Sequence, residues 1–149
     1  MPATRIEVFE VPVDEDEAFL EAWDAETRDA RLHRALRRDV AARFVAVGPA
    51  HGAGFEVVEE TGDVDGAGGV VAIDLFADPE GDEARFLAAW RSRHDALAAR
   101  RGYLGTRLYR GGPDDGLAFV CLTRWSSPLM VARAGGQAVH AAVYEVLRG

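Results

Sequence analysis

A histidine sits one helical turn after a tryptophan at Trp90 and His94, and Phe86, Leu87 and Leu97 continue the same three- and four-residue spacing. Imidazole is the side chain whose unperturbed pKa, about 6.5, suits a neutral-pH proton acceptor. On an apolar face it has an equally good reading as a satisfied core residue. Arg107 and Tyr109 fall two apart in a β-rich run, so they share one face of a strand while Arg110 takes the other. Such an arginine either holds an anion or makes an ion pair. Tyr103 and Tyr144 are candidate hydrogen-bond donors, and His140 precedes the last strand-like run. The single cysteine, Cys121, is flanked by apolar residues and reads as a buried, inert thiol. The four histidines have no metal-ligand spacing, so no metal site is expected. Gly66-Ala67-Gly68-Gly69 precedes a strand rather than opening a helix, so it is not a dinucleotide fingerprint. The run Asp14-Glu15-Asp16-Glu17 is a charged helix start that complements the helix dipole.

The elements that must position these residues occur twice. Ile6, Phe9, Pro12, Phe19, Leu20, Ala22 and Trp23 recur 67 positions later as Ile73, Phe76, Pro79, Phe86, Leu87, Ala89 and Trp90. Arg31-Leu32-His33-Arg34 matches Arg107-Leu108-Tyr109-Arg110, Phe44-Val45 matches Phe119-Val120, and the run from His51 to Val57 matches that from His140 to Val146. The expected organisation is a degenerate ferredoxin-like repeat over 1–61 whose second helix is largely missing. A flexible Gly-rich linker or exposed loop over 62–69 follows, then a complete repeat over 70–149. In the second copy the periodicity predicts strands at Val70–Phe76, Tyr103–Arg110, Ala118–Thr123 and Ala142–Leu147. A helix is expected from about Asp82 to Arg100, and a short second one from Pro128. That order, β-α-β-β-α-β, is the ferredoxin-like α+β pattern. Pro79 and the turn at 111–116 are the expected breaks.

The chain has 149 residues and a net charge of -8, with 25 acids against 17 basic residues, all of them arginine. Residues 1–69 hold 16 acids and 7 arginines, residues 70–149 hold 9 and 10, so the acidity is concentrated in the first half. Such a surface repels phosphate and argues against nucleic-acid binding. No apolar run reaches the ~20 residues needed to span a bilayer, and Met1–Arg5 lacks a signal-peptide core. A lone cysteine allows no internal disulfide. The expectation is a cytoplasmic protein without a membrane partner.

Four segments together resemble the antibiotic biosynthesis monooxygenase family. They are Ile73-Asp74-Leu75-Phe76, Phe86-Leu87-Ala88-Ala89-Trp90, Gly102 through Arg110, and Phe119-Val120 leading to Trp125-Ser126-Ser127. The resemblance covers about 70–148 well and 5–60 more weakly. It implies a dimeric α+β barrel, here formed within one chain as a pseudo-dimer of the two repeats, and a pocket between sheet and helices. It also implies oxidation of a polycyclic aromatic, polyketide-type intermediate by O2 with no cofactor. Asp74 stands where family members often carry Asn, and Trp125 matches the family's pocket-edge tryptophan. His94 or Asp74 would then take the substrate proton, with Arg107 steadying the anion and Trp125 completing the catalytic set. Trp90, Tyr103, Tyr109, Phe76, His140 and Tyr144 would contact the substrate. The alternatives are a non-oxidative cyclase on the same fold, a binding or scaffold protein, and a haem protein liganded by His140 or His94. A homodimer or a pathway enzyme is the expected macromolecular partner.

Overall fold

In the computed structural model, residues 3–26, 29–77, 82–112, 116–131, 138 and 140–148 are described. Eight strands form one antiparallel sheet: β1 (Thr4–Phe9), β2 (Arg31–Ala35), β3 (Phe44–Pro49), β4 (Glu56–Gly62), β5 (Val70–Phe76), β6 (Tyr103–Arg110), β7 (Phe119–Trp125) and β8 (His140–Arg148). Two helices, α1 (Asp16–Ala25) and α2 (Glu83–Ala98), follow β1 and β5. β5 and β6 begin and end where the residue pattern places them, because glycine or a break in the apolar run bounds each. The expected break at Pro79, residues 113–115 of the turn at 111–116 and the body of the second helix after Pro128 fall outside the described residues. Only a 3-10 turn, Pro128–Met130, is seen there.

The strand order is β1-β3-β2-β8-β5-β7-β6-β4. β8-β5-β7-β6 has the ferredoxin-like arrangement, and β1-β3-β2 repeats its last three members. The fourth strand of each half pairs with the other half, β4 with β6 and β8 with β2, while β8 also pairs with β5 of its own half. The registers coincide as well. Ile6 faces Val47 as Ile73 faces Leu122, and His33 faces Val45 as Tyr109 faces Val120. The sheet curls until its edges meet at one bridge, where Thr4 and Phe55 exchange two backbone hydrogen bonds of 2.8 Å. The same bridge recurs as Val71 opposite Tyr144. His51, by contrast, is exposed in a bend before β4, whereas His140 opens β8.

The curled sheet has an apolar face on each side. Val45, Val71, Ile73, Leu75, Val120 and Leu122 meet inside. On the outside, α2 covers Phe76, Leu108, Phe119 and Cys121 through Trp90, while α1 covers Leu32, Phe44 and Ala46 through Trp23. Each such large apolar side chain contributes roughly 1.5–3 kcal/mol on burial. Asp82 caps α2 by accepting a hydrogen bond from the Arg85 N–H at 3.0 Å.

The segment joining the halves, expected as a flexible linker or exposed loop, is a largely exposed loop tied down at Val64 and by Arg124. Val64 is buried in the inner core, and Arg124 donates to the carbonyls of Asp63, Ala67 and Gly68. Gly69 has φ 76°, and a Cβ there would run into the Trp125 carbonyl. One guanidinium therefore holds a loop that contains little side-chain surface of its own.

Candidate active site

The long helix presents Trp90 and His94 to the outer face of the sheet. Their rings stack at 4.9 Å with an interplanar angle of 8°, and both are buried. Tyr103 reaches the same place because Gly102, at φ 89°, turns the chain from α2 into β6. The Tyr103 hydroxyl is the hub of a polar cluster. It donates to Thr106 Oγ1 at 2.8 Å, and its oxygen lies 2.7 Å from Thr61 Oγ1 and 3.0 Å from His94 Nε2. With the phenolic proton spent on Thr106, its lone pairs accept, and His94 Nε2 is placed as a donor. Tyr103 also meets Trp125 edge-on at 5.8 Å and 84°. Trp125 is fully buried, and its indole N–H has no hydrogen-bond partner among the described residues. A buried donor left unpaired costs about 1–3 kcal/mol, which a bound acceptor would relieve.

Asp74 lies on this helix-facing side, two residues from Ala72 and Phe76 and opposite Cys121 in the β5–β7 register. Burial pushes the Cys121 thiol up to about 12, and the Asp74 charge adds to the shift. The thiol is therefore inert at neutral pH. Phe76 is edge-on to Phe86 at 5.1 Å and serves the packing beneath α2. A cavity of about 150 Å³ opens beside Trp90, His94, Thr61 and Thr106.

The sheet divides the remaining candidates from this group. Arg107 and Tyr109 point to the inner face, as their alternation with Thr106 and Leu108 requires. Arg107 is clamped by Glu60 and Asp65, with its shortest contact to Asp65 Oδ2 at 2.6 Å, and reaches Tyr109 Oη at 3.3 Å. These bonds, Asp65 first, hold the guanidinium above its ordinary pKa, and Arg107 in turn holds the Asp65 carboxyl below its own. Burial raises Tyr109. Arg107 therefore neither pairs with Asp74 nor shares a pocket with His94. Tyr144 is also inside, donating to the Ala42 carbonyl at 2.6 Å, with His140 Nε2 at 2.9 Å from its oxygen. Burial pushes the Tyr144 hydroxyl up to about 12. A cavity of about 240 Å³ lies on this inner side, lined by Arg31, His33, Asp65, Arg107 and Tyr109.

Thr61 escaped sequence reasoning. It belongs to the first half and joins His94 only because β4 crosses to pair with β6, placing Thr61 opposite Thr106. No local signal marks such a long-range partner. Of the two candidate haem ligands, His94 Nε2 is engaged by Tyr103 and Thr61, and His140 Nε2 by Tyr144. Among the described residues no three His, Cys, Asp or Glu side chains converge on a metal position, and no helix is long and apolar enough to cross a membrane.

Residues 69–134 match the model of the antibiotic biosynthesis monooxygenase family. No functionally curated protein matches the chain. Among solved structures, an anthrone oxidase-like protein superposes with a TM-score of 0.62 at 14% identity, covering 97% of this chain and 90% of that one. An uncharacterized ferredoxin-fold protein related to antibiotic biosynthesis monooxygenases, from Listeria monocytogenes, gives 0.60 at 12% identity, with coverage of 100% and 97%. A heme-degrading enzyme from the same species, LmHde, gives 0.57 at 13% identity, with coverage of 95% and 97%. At such identities these likenesses establish the fold alone. The stretch that carries Trp90, His94, Tyr103 and Trp125 thus lies within the match to the antibiotic biosynthesis monooxygenase family, in a ferredoxin-like α+β fold with a curled antiparallel sheet.

Proposed function

We propose that the protein oxidises a polycyclic aromatic phenol or anthrone with molecular oxygen and without a bound cofactor, using the helix-facing side of residues 70–149. The observation that carries this reading is the buried indole N–H of Trp125, which has no partner among the described residues and is walled by Tyr103 within the stretch that matches the monooxygenase family. It is a donor prepared for a substrate oxygen in a dry site, where hydrogen bonds to developing charge act strongly. Asp74 takes the proton from the activated substrate carbon, since His94 is held as a donor in the Tyr103 cluster. The carbanion passes one electron to O2, and recombination of the radical pair forms a C–O bond. The resulting peroxide regains a proton and loses water. In balance, a methylene carbon and one molecule of oxygen give a ketone carbon and one molecule of water.

The same reading includes the tandem arrangement: the two halves form one barrel as a pseudo-dimer, with 1–61 and 70–149 as the repeats. It is supported by the shared registers and by the reciprocal β4–β6 and β8–β2 pairings.

Oxygen uptake by metal-stripped, flavin-free protein given anthrones and hydroxylated naphthacenes tests the reaction. One O2 per substrate and a quinone product are expected, with kcat about 10–100-fold lower in Trp125→Phe, which keeps a ring but loses the donor. Consumption of substrate without oxygen uptake would replace the oxygenase with a non-oxidative cyclase. Unchanged kcat in Trp125→Phe would remove Trp125 from the site.

A further inference from the structure

β4 is a first-half strand that ends at the second half's site, and a bulge decides what it delivers there. Its register with β6 runs from Glu56 opposite Arg110 to Val57 opposite Tyr109, then skips Val58. Beyond the skip Glu59 stands opposite Leu108, Glu60 opposite Arg107 and Thr61 opposite Thr106. Strand side chains alternate between the two faces, so one inserted residue exchanges the faces of all that follow. Glu60 consequently turns inward and clamps Arg107, while Thr61 turns outward to His94 of α2. The same irregularity recurs where β8 skips Leu147 to meet β2, so the bulge belongs to the crossing itself. What is particular to β4 is the hydroxyl it carries three residues further on.

That hydroxyl meets the polar hub of the site. Thr61 Oγ1 is 2.7 Å from Tyr103 Oη, the shortest of that oxygen's three contacts, and 3.2 Å from His94 Nε2. Because the Tyr103 proton goes to Thr106, Thr61 donates in the short bond. Two threonines paired across β4 and β6 thus grip one phenol, one accepting and one donating, and His94 adds a third contact from the helix. A ring held at its far end cannot swing, which fixes its edge-on packing against Trp125 at 5.8 Å and 84°. Placement of a donor matters steeply for reaction: a displacement of about 1 Å can cost about 100-fold in rate. Thr61 lies outside the 69–134 family match, so it belongs to this chain's own first half rather than to the matched stretch.

We propose that Thr61 is a positioning residue for the second half's site: through Tyr103 it holds the Trp125 indole N–H in line for the substrate oxygen, so that the first half completes the site. This rests on the oxidation assigned above to the Trp125 side, in which Thr61 acts through Tyr103 and not on the substrate.

Thr61→Val in the full chain keeps the side-chain shape, suits a strand and removes only the hydroxyl. Oxygen uptake should show kcat about fivefold lower at unchanged KM, the scale of one lost hydrogen bond. Thr61→Ser, which restores the donor, should restore kcat. A second readout needs no turnover. The Trp125 indole N–H resonance, identified by its loss in Trp125→Phe, should move in Thr61→Val and return in Thr61→Ser. Once Tyr103→Phe has removed the shared partner, Thr61→Val should no longer move it. An unchanged kcat or an unmoved resonance in Thr61→Val, a loss that serine does not restore, or a full shift in the Tyr103→Phe background would each overturn the proposal. A wild-type protein that takes up no oxygen would instead sink the oxygenase reading, and the resonance alone would then support or overturn the role of Thr61.

Discussion

His33 ties the stability of the inner core to pH. It lies in the middle of β2, 1% exposed, with Nδ1 donating to the Val45 carbonyl at 3.0 Å. Burial pushes its pKa down from 6.5 to about 4, the nearby Arg31 charge adding to the fall and the Val45 carbonyl opposing it. Because the folded pKa is below the unfolded one, the unfolded chain binds the extra proton between these values. The contribution of neutral His33 is complete above pH 6.5 and is lost progressively as pH falls toward 4. At about 1.4 kcal/mol per pKa unit, the loss is about 2 kcal/mol by pH 5 and about 3 kcal/mol by pH 4. The perturbation is His33→Gln, whose amide can still donate to Val45 but does not titrate. Urea unfolding of both proteins from pH 7.5 to 4 isolates the histidine. Carboxylates such as Asp65, held low by Arg107, lose their contribution on acidification in both chains and cancel in the difference. The stability gap between wild type and variant should narrow by about 2 kcal/mol between pH 7 and pH 5. Parallel profiles, or a His33 ring that titrates near 6.5 by NMR, would refute the argument.

Two further predictions concern buried charge and the thiol. Arg43 is almost fully buried, with its guanidinium 2.8–3.2 Å from the Asp16 carboxylate and further bonds to the carbonyls of Ala35 and Arg37. Asp16→Ala strands that charge and should cost about 3 kcal/mol in urea unfolding at neutral pH; a loss under about 1 kcal/mol would mean that the carbonyls alone carry Arg43. Cys121, raised to about 12, should resist iodoacetamide at pH 8 in the native protein and react fully in urea. Fast native alkylation would show that the outer core opens.

Much of this molecule is legible along the chain. The bounds of β5 and β6 and the shared face of Arg107 and Tyr109 follow from local spacing, because strand alternation is a property of a few consecutive residues. Alternation does not say which face is enclosed when both are apolar. Tertiary structure alone decides that Val71, Ile73 and Leu75 turn inward with Arg107, leaving Asp74 and Phe76 with the helix. It also recruits Thr61 to His94 through the β4–β6 crossing and ties the exposed Gly-rich loop to Arg124. Each of these depends on partners separated by tens of residues, and only the closed sheet sets their distances.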